Sequence, residues 1–264
     1  MSESTPILAV EDLRVDFGGR PVLDGVSFDV AEGEIFVIMG PSGCGKTTLI
    51  KSIVGLLEPD GGAIRFRGAD LASDAAMEPF RRRMGMVFQQ GALLNSVTLG
   101  ENVALPLREH TDLPDWMIER VVAMKLAQVG LLSARHRLPM ELSGGMKKRG
   151  GIARALALEP EILFFDEPTG GLDPVTADGI DNLVLTLRRQ LGVTIVVVTH
   201  ELASIFKIAD RVMMLAEGRI AALDRPVVVR GSDDPVVHRF VTRKAEEEAG
   251  QADGFLSRTG GGGA

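Results

Sequence analysis

The sequence predicts an α/β fold with a mostly parallel core sheet. Near-continuous apolar runs, "IFVIM", "EILFFDE" and "VTIVVVTH", end in glycine or polar residues, as buried parallel strands do. The first of these runs leads directly into the glycine-rich loop "GPSGCGKTT" and then into a helical stretch. Between about Gln90 and Met140 helix formers dominate and β-rich runs vanish, which predicts a helical insertion. We therefore expect an anion-binding loop at the edge of an α/β sheet.

Strands and tight turns are expected between Ile7 and Ile38, where short β-branched runs are broken by "FGGR" and "AEGE". After the glycine-rich loop, a helix is predicted over Lys46–Leu57, closed by "EPDGG", and a short strand over "AIRFRG". Later, "RVMMLAEGRIAAL" predicts a hairpin that turns at Glu217–Gly218.

The C-terminal part has a different character. "DDPVVHRFVTRKAEEEAG" predicts a short amphipathic helix, and "RTGGGGA" is expected to be a flexible tail. The apolar side of this helix could dock on a second copy of the chain, or the segment could be a frayed charged tail. The residues expected on that side are Val236, Val237, Phe240 and Val241.

Composition restricts the class of protein. A chain of 264 residues can bury a core of one or two domains. Its net charge of −7 argues against a main role in binding nucleic acid or an anionic membrane. A single cysteine, Cys44, excludes an internal disulfide. Because "MSESTPILAV" lacks secretory features and no apolar run reaches 18 residues, we expect a cytoplasmic, soluble subunit.

The loop "GPSGCGKTT" matches the phosphate-binding pattern G-x-x-x-x-G-K-[ST]. Its glycines let backbone N–H groups approach phosphate oxygens, Lys46 reaches the β- and γ-phosphates, and the Thr47 hydroxyl is placed for Mg²⁺. The alternative is a glycine-rich turn without a ligand, which the position of the loop between a buried strand and a helix disfavours. The expected ATP-binding residues are Gly40, Pro41, Ser42, Gly43, Cys44, Gly45, Lys46, Thr47 and Thr48.

Cys44 has two interpretations. A thiol at a helix N-terminus beside a lysine can have a lowered pKa, which would make it reactive. Alternatively, Cys44 is a small residue that fits the loop.

Polar residues follow the apolar strands at the edge where an α/β sheet places its chemistry. Asp166 and Glu167 end "ILFFDE", so that one carboxylate can help to hold Mg²⁺ and the other can activate a water. His200 closes the run "TIVVVT", and Gln89 ends "GMVFQ". Asp173, followed by proline, is the usual start of a helix, so capping is expected of it.

A second anion site is suggested by "ELSGGMKKRGGIARAL". A serine and two glycines open a helix, and the cations Lys147 to Arg149 follow at once. Cations in a first helical turn oppose the macrodipole, so this helix start makes sense if an anion binds there. Spacing alone leaves open whether both anion sites face one triphosphate.

Taken in order, these motifs resemble the ATP-binding subunit of an ABC transporter over nearly all of the chain from Ile7 to about Leu223. "GPSGCGKTT" corresponds to the Walker A motif, "LSGGM" to the signature, "ILFFDE" to Walker B and "GGLD" to the D-loop. Gln89 corresponds to the Q-loop and His200 to the H-loop. The chain departs from the family at Met146, where glutamine is usual, and in "GGLD", where Ser-Ala is more frequent.

The resemblance implies a P-loop NTPase with an antiparallel β-subdomain and a helical signature subdomain. It implies two subunits paired head to tail, each ATP lying between one Walker A loop and the other chain's signature, and such a pair fits two-fold symmetry. The implied units are 1–89, the first part of the nucleotide-binding core with the β-subdomain; 90–155, the helical subdomain; 156–223, the second part of the core; and 224–264, the C-terminal extension.

The family's residue roles carry over by motif. Asp166, Gln89 and Thr47 would serve Mg²⁺, with Gln89 also serving the attacking water. Glu167 would be the general base and His200 would contact the γ-phosphate. The remaining implied nucleotide contacts are Phe17 under the adenine and, from the partner chain, Ser143, Gly144, Gly145 and Asp173.

The segment "QQGALLNSVTLGENVALPLREHT" together with "LSGGMKKR" looks most like the ATPases of Mla/MCE-type lipid transport systems. That likeness implies phospholipid cargo, a dimeric membrane permease, an MCE-domain protein, and a place on the cytoplasmic face of a bacterial inner membrane. Within the class, the alternative is a transporter ATPase for another solute. Outside it, the alternative is a soluble ABC ATPase acting on ribosomes or DNA, which usually carries two cassettes or long coiled coils; this sequence shows neither, and no nucleic-acid partner is expected.

Overall fold

Two sheets organise the protein, whose computed structural model describes residues 6–89 and 91–242. Residues 1–5, Gln90 and 243–264 lie outside this description, and so does the prediction of a flexible tail at "RTGGGGA". The strands in chain order are β1 (Leu8–Asp16), β2 (Pro21–Val30), β3 (Ile35–Met39), β4 (Gly61–Phe66), β5 (Ala69–Asp70), β6 (Met84–Val87), β7 (Ile162–Asp166), β8 (Thr194–Val198), β9 (Arg211–Ala216) and β10 (Arg219–Asp224).

The larger sheet has the order β10-β9-β3-β8-β7-β6. Its strands pair in parallel except for β10, which runs antiparallel to β9. Every residue of β3 and β8 is buried, because core residues cover both faces of these central strands. Parallel pairing brings the C-terminal ends of β3, β7 and β8 to one edge. The predicted mostly parallel core is confirmed.

The smaller sheet, β2-β1-β4-β5, is antiparallel, as expected of the β-subdomain. Along β1 and β2, buried residues face the core at intervals while exposed ones face water. Core residues from this sheet, among them Leu13, Val26 and Ile64, share one apolar cluster with residues of β3 and α1, the helix Lys46–Ile53. The subdomain therefore packs against the helix that follows the glycine-rich loop.

Helices cover the remaining faces. Beside α1, they are α2 (Asp74–Arg83), α3 (Leu99–His110), α4 (Asp115–Gln128), α5 (Gly144–Ala155), α6 (Pro174–Leu191), α7 (Leu202–Ile208), α8 (Pro226–Arg230) and α9, residues 235–242. Helices α3, α4 and α5 contribute to one apolar core, so the predicted helical insertion exists. Within the described residues, no helix is both long and apolar enough to cross a membrane.

Helix α1 ends at Ile53, four residues before the predicted end. Gly55 takes a left-handed conformation (φ +72°), and the N–H of Leu56 donates to the carbonyl of Lys51 at 2.8 Å. This pattern is a Schellman motif, which satisfies the last carbonyls and stops the helix. The prediction that the helix reaches Leu57 was wrong because the glycine ends it earlier than "EPDGG" would.

The hairpin of β9 and β10 turns where predicted. Glu217 and Gly218 have φ values of +49° and +75°, the two left-handed residues of a tight hairpin turn. A Cβ at Gly218 would lie 2.6 Å from the carbonyl oxygen of Val22, so glycine is also required by a close approach to β2.

Helix α9 packs on its own chain. Val237, Phe240 and Val241 are buried in the core cluster that also contains residues of α7. Val236 is 49% exposed, so its assignment to the buried side was wrong; it lies at the edge of the apolar arc, about 140° from Val241. The apolar side of this helix is therefore occupied by the chain's own core, which removes the basis for docking it on a second copy.

Candidate functional site

The loop Gly40–Thr48 connects β3 to α1, and its glycines are required by geometry. Gly40 and Gly45 have φ values of +150° and +105°. A Cβ at Gly40 would lie 2.1 Å from the carbonyl oxygen of Leu215, and one at Gly45 would lie 2.9 Å from that of Val22. No side chain caps the start of α1, which leaves its first N–H groups available to an anion.

Lys46 places its ammonium across this loop. The side chain is buried, and Nζ donates to the carbonyl oxygens of Gly40 at 2.8 Å and Pro41 at 3.0 Å. Pro41, Ser42, Gly43 and Thr47 are exposed, and Thr48 is half-buried. A helix start without a side-chain cap, with one cation held over it, fits a polyphosphate.

Cys44 is a packed residue of the loop and not an activated thiol. Its side chain is buried, and burial raises the pKa of the thiol, although Lys46 opposes that shift. The alternative of a lowered pKa was wrong because desolvation outweighs the nearby charge.

Glu167 lies at the C-terminal end of β7 in a left-handed conformation, with φ +50°. Its N–H donates to the carbonyl oxygen of Val198, the last residue of β8, at 2.8 Å. Its carboxylate Oε1 lies 2.8 Å from Nδ1 of His200, whereas Oε2 is buried and has no hydrogen-bond partner in the described part of the chain. The structure thus brings two of the expected site residues into contact and leaves one buried carboxylate oxygen without a partner among the described residues.

Asp166, beside Glu167, is surrounded by charged side chains of both signs. Burial, and next the charge of Glu167, raise the pKa of the Asp166 carboxyl, while Lys51, Lys46 and Lys148 lower it. Because burial and the adjacent Glu167 disfavour the charged form of Asp166, a cation bound beside this carboxylate would offset that cost. Mg²⁺ usually takes one or two carboxylates together with substrate phosphates, so this carboxylate and the Thr47 hydroxyl fit that ion.

The helix start at "LSGG" is built as expected. Ser143 is the N-cap of α5, and its Oγ accepts a hydrogen bond from the N–H of Met146 at 3.3 Å. Since Gly144 is the first helical residue, Lys148 and Arg149 lie beyond the first turn, and the expectation that all three cations oppose the dipole there was wrong.

Gly145 at this helix start allows a close approach to α6, whereas a side chain at Gly144 would make an ordinary contact with the segment before α6. A Cβ on Gly144 would lie 3.4 Å from Cδ2 of Leu172, and one on Gly145 would lie 2.5 Å from Cγ2 of Thr176. Asp173 caps α6: its Oδ1 accepts from the N–H groups of Val175 at 3.1 Å and Thr176 at 3.0 Å. The predicted capping role of Asp173 is confirmed, and the hydrogen bond from the Thr176 hydroxyl lowers the pKa of its carboxyl.

Gln89 and Phe17 lie on the surface. Gln89 follows β6, is exposed, and lies next to Gly170 in the segment after Glu167. Phe17 is 55% exposed in the turn between β1 and β2, so its ring presents a free face.

Sequence reasoning missed one residue of the site. Lys148 was noted only as one of three cations, yet its Nζ donates to the carbonyl oxygen of Glu167 at 2.9 Å. The available signal was periodicity, because Lys148 follows the close-packed Gly145 by three positions and so shares its buried side.

Comparisons with known proteins bear on the family and the fold of this chain. A protein-family model described as "ABC transporter" matches residues 23–170. The chain is 42% identical over 237 residues to the intermembrane phospholipid transport system ATP-binding protein MlaF of Escherichia coli K12, covering 89% of this chain and 88% of that protein. It is 39% identical over 236 residues to the probable ribonucleotide transport ATP-binding protein mkl of Mycobacterium leprae, covering 89% and 68%.

Two solved structures resemble the fold. One is the dimeric structure of a post-hydrolysis state of the ATP-binding cassette MJ0796 bound to ADP and Pi, with a TM-score of 0.76 and 30% identity over 83% of this chain and 98% of that one. The other is cbiO1 from Clostridium perfringens, part of the ABC transporter complex cbiONQ, with a TM-score of 0.81 and 29% identity over 96% and 100%.

Proposed function

Because the chain belongs to the ABC transporter family of ATP-binding proteins, we propose that this ATPase drives a membrane permease that moves phospholipid or a related lipid in a bacterial envelope. The observation that carries the proposal is the 42% identity to MlaF over 89% of the chain, joined to a complete set of ATP-site motifs. The relative from Haemophilus influenzae with the same name is 40% identical over 94% of the chain.

For the chemistry, we assign roles from the contacts of each residue. The loop Gly40–Thr48 binds the phosphates through its N–H groups and Lys46. Mg²⁺, when bound beside Thr47, Gln89 and Asp166, supplies positive charge that offsets the phosphate charge. Oε2 of Glu167, which has no hydrogen-bond partner among the described residues, is the oxygen proposed to accept a proton from the attacking water.

His200 has a defined part in this arrangement. Its contact with Oε1 of Glu167 fixes the carboxylate so that Oε2 faces away from the imidazole. We propose that the same ring also contacts the γ-phosphate, the role that the family assigns to it. Gln89 is the side chain proposed to orient the attacking water.

Two copies of the chain are proposed to complete each site. The helix start at Ser143, Gly144 and Gly145, together with Asp173, would contact the ATP held by the partner's loop. The dimeric state of MJ0796 with bound ADP and Pi supports this arrangement. Phe17, exposed between β1 and β2, is proposed to stack on the adenine.

The assembly proposed for the cell places the ATPase dimer on the cytoplasmic face of the inner membrane, held there by a permease dimer. An MCE-domain protein would belong to the same complex. The four units 1–89, 90–155, 156–223 and 224–264 remain the proposed division of the chain.

The test is co-purification of a tagged Glu167→Gln full-length chain from gently solubilised bacterial membranes, with partners and lipids identified by mass spectrometry. Slowed hydrolysis should hold the ATP-bound dimer together. A matched Lys46→Ala chain, which should lose phosphate binding, controls for recovery that does not depend on ATP. A polytopic permease with an MCE-domain protein and phospholipid is the expected result. Ribosomes or DNA without a membrane protein would overturn the transporter assignment.

A second candidate keeps the ATPase and changes the cargo. It is favoured by the relative from M. leprae, whose name describes ribonucleotide transport. Recovery of a different permease, with no bound phospholipid, would support it. Exchange of the segment after Gln89 with that of a lipid-transport relative would then show whether this region selects the permease.

A further inference from the structure

We propose that Lys148 is a positioning residue for ATP hydrolysis, which holds the main chain of Glu167 so that the carboxylate points into the site. The inference rests on the proposed ATPase site but not on the identity of the cargo. It concerns a lysine that none of the nucleotide-site motifs uses as a ligand. Its evidence is a contact between the helix that opens with "LSGG" and the end of strand β7.

The contact is direct and shielded from water. Lys148 is 6% exposed, and its Nζ donates to the carbonyl oxygen of Glu167 at 2.9 Å. Burial lowers the pKa of the Lys148 ammonium, and the carboxylates of Glu167, Glu201 and Asp166 oppose that shift. A charged donor that gives a hydrogen bond in a sheltered place makes a strong, directional contact.

The conformation of Glu167 explains why such a contact is needed. A glutamate in the left-handed region is strained, and strained residues persist only where neighbouring contacts hold them. The N–H of Glu167 donates to the carbonyl oxygen of Val198. The carbonyl oxygen of Glu167 accepts hydrogen bonds from Nζ of Lys148 and, at 3.2 Å, from the N–H of Gly170. Lys148 is the side chain that holds this carbonyl.

Lys148 connects the helix start at "LSGG", proposed to contact the partner's ATP, with Glu167 of its own ATP site. Helix α5 is pressed against α6 at Gly145, where a Cβ would overlap Thr176, so the helix start cannot shift independently of its surroundings. Lys148 lies three residues along this helix, about 4.5 Å of rise from Gly145. Any displacement of the helix start by a partner-bound ATP therefore reaches Glu167 through one hydrogen bond.

The competing explanation is a lysine that is buried and satisfied but has no part in hydrolysis. The two explanations differ in which kinetic constant responds. Misplacement of Glu167 lowers kcat and leaves ATP binding intact, because Lys148 has no expected contact with nucleotide, whereas a purely structural role changes stability alone.

The experiment compares ATP hydrolysis by complexes purified through a tag on the full-length chain. Lys148→Met keeps much of the length and loses the donor; we expect kcat to fall about tenfold or more with the KM for ATP within about twofold of wild type. Lys148→Arg, which retains a cationic donor, should recover most of the loss. Lys125→Met is the matched control, since Lys125 is also a buried lysine (2% exposed), but it pairs with Glu159 near the N-terminal end of β7.

A double variant completes the test. In a Glu167→Gln background, adding Lys148→Met should lower the residual rate less than about twofold, because the lysine acts through the carboxylate that is already gone. Lys148→Gln replaces Lys148→Met if the latter is recovered poorly. An unchanged kcat in Lys148→Met, an equal loss in Lys125→Met, or a full additional loss in the double variant would overturn the inference. A different cargo in the purified complex would refute the lipid proposal and leave these comparisons unchanged.

Discussion

Replacing Asp181 with asparagine should stabilise the protein relative to wild type by an amount that grows as the pH rises. Asp181 lies in α6, is 4% exposed, and its Oδ2 accepts a hydrogen bond from Oγ of Ser204 at 2.8 Å. Its Oδ1 is buried and has no partner among residues 6–89 and 91–242. Burial raises the pKa of this carboxyl to about 6; Ser204 and Lys207 oppose the shift, and Glu201 and Asp178 add to it.

The direction of this pH dependence follows from the number of protons that the folded and the unfolded state bind. Below the unfolded pKa of 3.8 both states hold the proton, so the shift has no effect on stability. Between 3.8 and about 6 the folded state keeps a proton that the unfolded chain has released, so stability falls as the pH rises. Above a pH of about 6 the folded state has also released the proton, and the full loss of stability from burying the ionised carboxylate is present. From about pH 5 to about pH 7.5 this amounts to about 1.4 kcal/mol lost from wild type and not from Asp181→Asn.

The assay is thermal or urea unfolding of both purified full-length chains at several pH values across this window. For a chain of this size the difference in melting temperature should widen by about 3–5 °C. Glu101→Gln is the control, because the pKa of its exposed carboxyl is lowered, it stays ionised throughout this window, and it is not among the charges that shift the pKa of Asp181. A gap between Asp181→Asn and wild type that is the same at both ends of the window would refute the argument.

Three further outcomes are expected. Gly45→Ala should abolish binding of a fluorescent ATP analogue, because the new Cβ would overlap the carbonyl oxygen of Val22; near-normal affinity would contradict this. Alkylation of Cys44 in the folded chain should be slow at neutral pH compared with the urea-unfolded chain, and ATP should slow it further, as a thiol-reagent time course can show. Thr98→Ala should cost about 1 kcal/mol of unfolding free energy by removing the capping box with Glu101, measured by urea denaturation; no change in the midpoint would argue against the cap.

Local pattern was sufficient for the elements that define this fold. The core sheet was identified by the apolar runs of β3, β7 and β8, and its phosphate-binding loop by the glycine spacing of Gly40–Thr48. Both patterns can be recognised in the sequence because they depend only on residues close together along the chain. The hairpin at Glu217–Gly218 followed from turn chemistry in the same way. At the end of α1 two stop signals competed, Gly55 and the later "EPDGG", and the left-handed Gly55 ended the helix first.

Tertiary structure decided what local pattern could not. The contact of Lys148 with Glu167 joins residues 19 apart, and that of His200 with Glu167 joins residues 33 apart. Burial of Cys44 outweighed the charge that suggested a reactive thiol, and packing of α9 on its own core covered a face that resembled a docking surface. Burial and long-range contact depend on how elements pack, so the sequence by itself determined the kinds of residue available for ATP chemistry, and only the packed structure determined which of them act together.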